Sequence, residues 1–85
     1  MAIKESDASP EHNFFIGLAY LSGIDVEVNR DLAVKLITGA ARDNLPEAMV
    51  KLLSMYSDGI GVSNNQDEVA YWSEKLATYY FRKLQ

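Results

Sequence analysis

Displaced by 36 residues, the chain matches itself: Pro10-Glu11 returns as Pro46-Glu47, and Gly23-Ile24-Asp25-Val26 returns as Gly59-Ile60-Gly61-Val62. Tyr20 and Tyr56, Asn29 and Asn65, Asp31 and Asp67, and Ala41 and Ala77 keep the same offset, which makes nine identities across residues 10–46. Ordinary residue usage would give about two by chance. A period between about 20 and 50 residues is the mark of stacked-repeat architectures, in which each unit carries an apolar face that only a neighbouring unit can cover. Such repetition points to a binding surface before it points to chemistry.

The bulk properties narrow the class further. With 85 residues the chain forms one small domain, whose stability is expected at about 4–13 kcal/mol. Its 48% apolar and 24% charged residues suit a folded, soluble chain rather than a disordered one. The net charge of −4 and the scatter of the basic residues, of which only Arg82 and Lys83 are adjacent, argue against a nucleic-acid partner, since phosphate neutralisation needs a clustered positive face. Cysteine is absent, which removes disulfides and thiolate metal sites and suits a reducing compartment. The segment Met1–Asp7 has no apolar core of the signal-peptide kind, and no run approaches the roughly 18 apolar residues of a membrane span. The expected setting is cytoplasmic, with no membrane association.

Residues 1–9 form a polar lead-in, and residues 10–85 read as four helices in two hairpins with no alternating strand pattern. Ser9 can cap a helix that Pro10 opens and Glu11 favours electrostatically, running to about Ser22. Its apolar residues fall on two faces, Ile16, Ala19 and Tyr20 against Phe14, Leu18 and Leu21, a width that predicts neighbours on both flanks. Gly23 ends the helix, and Asn29 caps a second whose inward positions are Ala33, Leu36, Ile37, Ala40 and Ala41. Asp43-Asn44 closes the hairpin, Asn being tolerant of the left-handed backbone. Pro46 opens a third helix bearing Met49, Leu52, Leu53, Met55 and Tyr56, which stops at Gly59. Asn65 and Glu68 have the spacing of a reciprocal cap on a fourth, whose inward face is expected at Val69, Trp72, Leu76, Ala77 and Tyr80. The fold class is all-α.

Tyr56 followed by Gly59-Ile60-Gly61-Val62, then Trp72 and Ala77, resembles the Sel1-like repeat, a relative of the tetratricopeptide repeat. The first unit, about residues 12–47, supplies Ile16-Gly17, Tyr20, Gly23, Val26, Ala33 and Ala40-Ala41. The second, about 48–83, supplies Ala48, Leu52, Tyr56, Gly59, Gly61, Val62, Trp72 and Ala77. Asp25 replaces the second loop glycine of the first unit, Leu53 stands where the family prefers Gly, and Asn29 and Asn65 take the usual Asp position. The resemblance implies two stacked helix-turn-helix hairpins, a short right-handed α-solenoid. It also implies an adaptor or scaffold whose concave face, built from the first helix of each hairpin, holds a peptide or protein segment. Carried over residue by residue, that face comprises Phe14, Leu18 and Leu21 from the first unit and Val50, Ser54 and Ser57 from the second. Some secreted, cysteine-rich relatives are associated with β-lactam binding or hydrolysis. Their stapling cysteines are missing here, as is a Ser-x-x-Lys nucleophile motif.

Chemistry-bearing candidates are few. The Gly59-Ile60-Gly61-Val62 loop follows a helix and lacks an adjacent Lys, so a structural turn is preferred to a phosphate cradle, with Val62 tucked between the paired helices. His12 is the sole histidine and reads as a solvated residue beside Glu11, since zinc needs three or four ligands. The carboxylate pairs Asp67-Glu68 and Glu5 with Asp7 fall at a helix start and in the lead-in, where dipole complementarity explains the former. Catalytic, metal and cofactor sites are therefore not expected, and the chain is read as non-enzymatic.

Tyr79-Tyr80-Phe81 breaks the pattern: where the first unit exits through Asp43-Asn44, the second runs into three aromatics before Arg82-Lys83. That apolar end, with Tyr79 and Phe81 as candidate protein-binding residues, invites a further repeat, a second copy of the chain or a fold-back of its own. Two units fall short of the three that stacked repeats normally need, which favours the first two and makes a homodimer the preferred state of an entire chain of this length.

Overall fold

The computed structural model describes residues 9–85, so the lead-in expected over residues 1–9 lies outside the described residues except for Ser9. The described chain forms four helices: α1 (Pro10–Ser22), α2 (Arg30–Arg42), α3 (Pro46–Asp58) and α4 (Gln66–Lys83). No strand occurs among the described residues, and the fold is all-α. Each helix packs on the next in the chain, α1 on α2, α2 on α3 and α3 on α4, the first pair most closely. The resulting slab measures 40 × 29 × 17 Å, its thin dimension matching two layers of helix.

The sequence repeat returns in the backbone. α1 and α3 have equal length and their starts differ by 36 residues, as do the starts of α2 and α4. Gly23 and Gly59 both end their helices in the left-handed conformation, with φ of 76° and 70°. Beyond them Ile24 N–H donates to the Ala19 carbonyl and Asn29 N–H to that of Tyr20, while Ile60 and Asn65 donate to Met55 and Tyr56 at the matching positions. Asp25, the expected stand-in for a loop glycine, holds φ 62° where Gly61 holds 75°. Asn44 takes φ 69° at the turn between the hairpins. Ser9 and Asn29 accept from His12 N–H and Leu32 N–H as N-caps, whereas α3 starts at Leu45 with no side-chain cap and relies on Pro46.

The core lies where the hairpins meet. Ile37, Ala40 and Ala41 from α2, Ala48, Met49, Leu52 and Met55 from α3, and Trp72 from α4 form one buried cluster, with Phe14, Leu18 and Leu21 of α1 packed against it. Gly17 is the one buried residue of α1. A Cβ there would stand 2.8 Å from Ile37 Cγ1 and 3.2 Å from Leu36 Cβ, so the missing side chain is what lets α1 lie against α2. At the equivalent position of α3, Leu53 is half-buried against the same cluster.

Two expectations are corrected, and a third, the inward Val62, holds for the second loop alone. On α4 the inward stripe is Val69, Trp72, Leu76 and Tyr79, while Ala77 and Tyr80 are exposed, because α4 packs on α3 along one flank only. The reciprocal cap is half-formed: Asn65 Oδ1 accepts from Asp67 and Glu68 N–H, but Asn65 N–H goes to the Tyr56 carbonyl. The Glu68 carboxylate instead accepts from Trp72 Nε1 at 3.1 Å. Finally, Val62 packs against the core, whereas its counterpart Val26 is exposed. The second loop lies against α2 of the preceding hairpin, with a Cβ at Gly61 falling 3.5 Å from Val34. Among the described residues no earlier hairpin offers Val26 such a wall.

Candidate functional site

Helix α4 runs 18 residues where α2 runs 13, and the surplus turn carries Tyr79, Tyr80, Phe81, Arg82 and Lys83. Arg82 and Lys83 complement the negative end of the helix dipole, which helps the helix continue past the point where α2 stops. Tyr79 turns inward and is half-buried, its ring meeting that of Tyr80 edge to face at 5.3 Å. Tyr80, Phe81 and Leu84 are 52%, 63% and 86% exposed, so three large apolar side chains crowd the C-terminal end of one helix.

Beside them runs an open groove of about 310 Å³ lined by Asn44, Lys75, Thr78, Tyr79, Arg82 and Lys83. Lys75, Thr78, Tyr79 and Arg82 share one face of α4 through their i, i+3, i+4, i+7 spacing, and Asn44 closes the groove from the inter-hairpin turn. The Lys83 ammonium lies 5.5 Å from the centre of the Tyr79 ring, and that of Lys75 lies 5.7 Å from Tyr71. Stacking on an aromatic face restrains a lysine without neutralising it. Every charged side chain that lines this groove is a cation.

The residues carried over to the concave face separate into two groups. Phe14, Leu18 and Leu21 are half-buried against the core, whereas Val50, Ser54 and Ser57 form an exposed strip on α3. Tyr79 is half-buried in the groove wall and Phe81 is exposed beside it. The structure thus brings Tyr79 and Phe81 together with Lys75, Thr78, Arg82 and Lys83, a grouping the sequence reading missed although the spacing along α4 carries it.

The remaining candidates resolve as local structure. The N–H groups of Gly59 and Ile60 both donate to Met55, and Asn64 Nδ2 donates to the Ser57 carbonyl at 2.7 Å, which ties the loop to the last turn of α3. His12 is exposed and its backbone N–H caps on Ser9. Glu5 and Asp7 lie outside the described residues. Among the described residues no three His, Asp or Glu side chains cluster as metal ligands would, and no helix is long and apolar enough to cross a membrane. Tyr56 holds its phenolic proton above the usual pKa of 10.0, first because burial penalises the phenolate and next because Glu68 repels it, with Arg42 opposing. Compared with protein-family models, with curated proteins and with solved structures, the chain matches none.

Proposed function

We propose that the chain is a pair of Sel1-like hairpins stacked as a short α-solenoid, serving as a non-catalytic adaptor or scaffold that binds a peptide or protein segment. The helix starts and loop hydrogen bonds that recur after 36 residues support the repeat reading. The function rests on one observation: the C-terminal turns of α4 extend past the length of its counterpart α2 and hold Tyr80, Phe81 and Leu84 exposed beside the groove. Exposed aromatics with an adjacent Arg are the residue types that anchor protein interfaces. Binding would seat apolar anchors of the partner against this end, with Val50, Ser54 and Ser57 available as a second, more polar strip.

Affinity capture with the intact chain as bait, run in parallel with a Tyr80→Ser/Phe81→Ser variant, tests the proposal. Both side chains are exposed, so the variant should fold, and proteins held by the parent should be lost from it. Equal capture by the two would refute this surface. The second reading, an assembly segment that joins neighbouring repeats or a second copy, draws on Phe15, Ile24 and Val28, which are also exposed on the first hairpin. Light scattering separates the two: association that grows with concentration and vanishes in the variant favours assembly, and a stable monomer favours the adaptor.

A further inference from the structure

We infer that the groove along the last turns of α4 is a docking site for an acidic peptide segment, recognised through its Asp and Glu carboxylates; this rests on the adaptor reading and names the chemistry of its partner. The charge of the chain is unevenly divided. Counting side chains, residues 1–74 hold five Lys and Arg against twelve Asp and Glu, net −7, while residues 75–85 hold three Lys and Arg and no Asp or Glu, net +3. All three of those cations, Lys75, Arg82 and Lys83, line the groove.

Each lining group has a use for carboxylate. The Arg82 guanidinium offers a planar fork that matches two carboxylate oxygens, and the two lysines supply point charges that their tyrosine neighbours hold near the groove. Thr78 hydroxyl and Asn44 amide add neutral donors on opposite walls. Phe81 and Leu84 stand exposed at the end of the same helix, where an apolar residue flanking the acidic stretch would find a surface. The nearest carboxylates in sequence, Asp43 and Glu74, neighbour lining residues and line none of this groove themselves. An acidic peptide brings a few charges to a local positive site. A nucleic acid or an anionic membrane would bring an extended negative surface against a body of net charge −7, which repels it.

The test uses the full chain and a fluorescein-labelled peptide of alternating Glu and Gly, followed by fluorescence anisotropy at low and physiological salt. The same peptide with Gln for Glu, an oligouridylate and vesicles rich in phosphatidylserine are the comparators. Lys75→Gln/Arg82→Gln/Lys83→Gln should weaken the Glu peptide about tenfold or more, three exposed charge contacts being removed. Arg30→Gln/Lys35→Gln/Lys51→Gln, at three cations that do not line the groove and with the same net charge, should change it less than about twofold. Circular dichroism confirms that both variants fold. Equal loss in the two variants, binding of the Gln peptide as tight as that of the Glu peptide, or tighter binding of oligouridylate or vesicles would each overturn the inference. So would self-association abolished by the groove variant with no peptide bound, since the occupant would then be a second copy. If the Glu peptide fails while capture still depends on Tyr80 and Phe81, the adaptor reading stands and the acidic preference falls.

Discussion

Adding one methyl group at Gly17 and one at Gly39 should move stability in opposite directions, although both glycines lie inside helices of the same hairpin. Alanine is the better helix former by about 1 kcal/mol, and at Gly39 nothing stands within 4 Å of the new Cβ, so Gly39→Ala should stabilise by about 0.5–1 kcal/mol. At Gly17 the same gain meets three obstacles: Ile37 Cγ1 at 2.8 Å, Leu36 Cβ at 3.2 Å and the Ala33 carbonyl at 3.3 Å. Ile37 is fully buried and β-branched, so its Cγ1 has little room to rotate away, and the other two are fixed to the α2 backbone. α1 must therefore lift from α2, at an overpacking cost of about 1–3 kcal/mol. Subtracting the helix gain leaves Gly17→Ala destabilised by up to about 2 kcal/mol. Urea unfolding followed by far-ultraviolet circular dichroism reads both variants, and an unchanged slope with a shifted midpoint would assign the effect to the native state. A Gly17→Ala midpoint that rises like that of Gly39→Ala would refute the close packing of α1 on α2.

Three further outcomes are expected. Trp72→Ala should cost about 3–5 kcal/mol and leave the chain marginal, because the ring is buried and its indole N–H satisfies Glu68; a parental thermal melt would contradict the assigned core. Asn65→Ala should cost about 1 kcal/mol, and more than Asn29→Ala, since Asn65 accepts from two backbone N–H groups and Asn29 from one; denaturant midpoints rank the pair. Tyr56 has its pKa raised on folding, so the native state binds its proton more tightly than the unfolded chain does. Its contribution is intact below the unfolded value of 10.0 and is lost as pH rises from there through the folded value. Melting in alkaline buffers should show that part of the decline vanish in Tyr56→Phe.

What the sequence made legible is what local chemistry controls. Ser9, Asn29, Gly23 and Gly59 each do at a helix end what their side chain, or its absence, dictates, and all four boundaries follow. Periodicity also placed Ala33, Ile37, Leu52, Met55 and Trp72 in the core, because those positions face a neighbour under any stacking of the two hairpins. Its reach ended on α4. Ala77 and Tyr80 continue an apolar pattern whose burial depends on a neighbour beyond the hairpin, and the pattern cannot register whether that neighbour exists. Glu68 shows the same limit on a smaller scale, since its spacing to Asn65 allowed a cap while the tertiary placement of Trp72 claimed its carboxylate. The cationic groove is hidden along the chain, where Lys75 and Arg82 are seven residues apart, and emerges only around the helix, where they share a face.

The differences between the two hairpins say as much as their likeness. Leu18 and Leu21 pack against the core cluster to which Ile37 belongs; 36 residues on, the same positions are Ser54, Ser57 and Ser73, all exposed. A third hairpin stacked in the register of the second would meet three small hydroxyl side chains, of which Ser54 already donates to the Lys51 carbonyl, in place of two leucines and an isoleucine, and would bury less apolar surface. The face through which the first hairpin receives the second has thus not been rebuilt on the second. Aromatic and cationic residues accumulate instead on the extra turn of α4 and its groove wall, where the internal symmetry of the chain breaks. Same-register stacking requires the first surface to be apolar, whereas a peptide-binding end requires only the second. The polar replacements at Ser54, Ser57 and Ser73 therefore favour the proposed adaptor over the assembly reading.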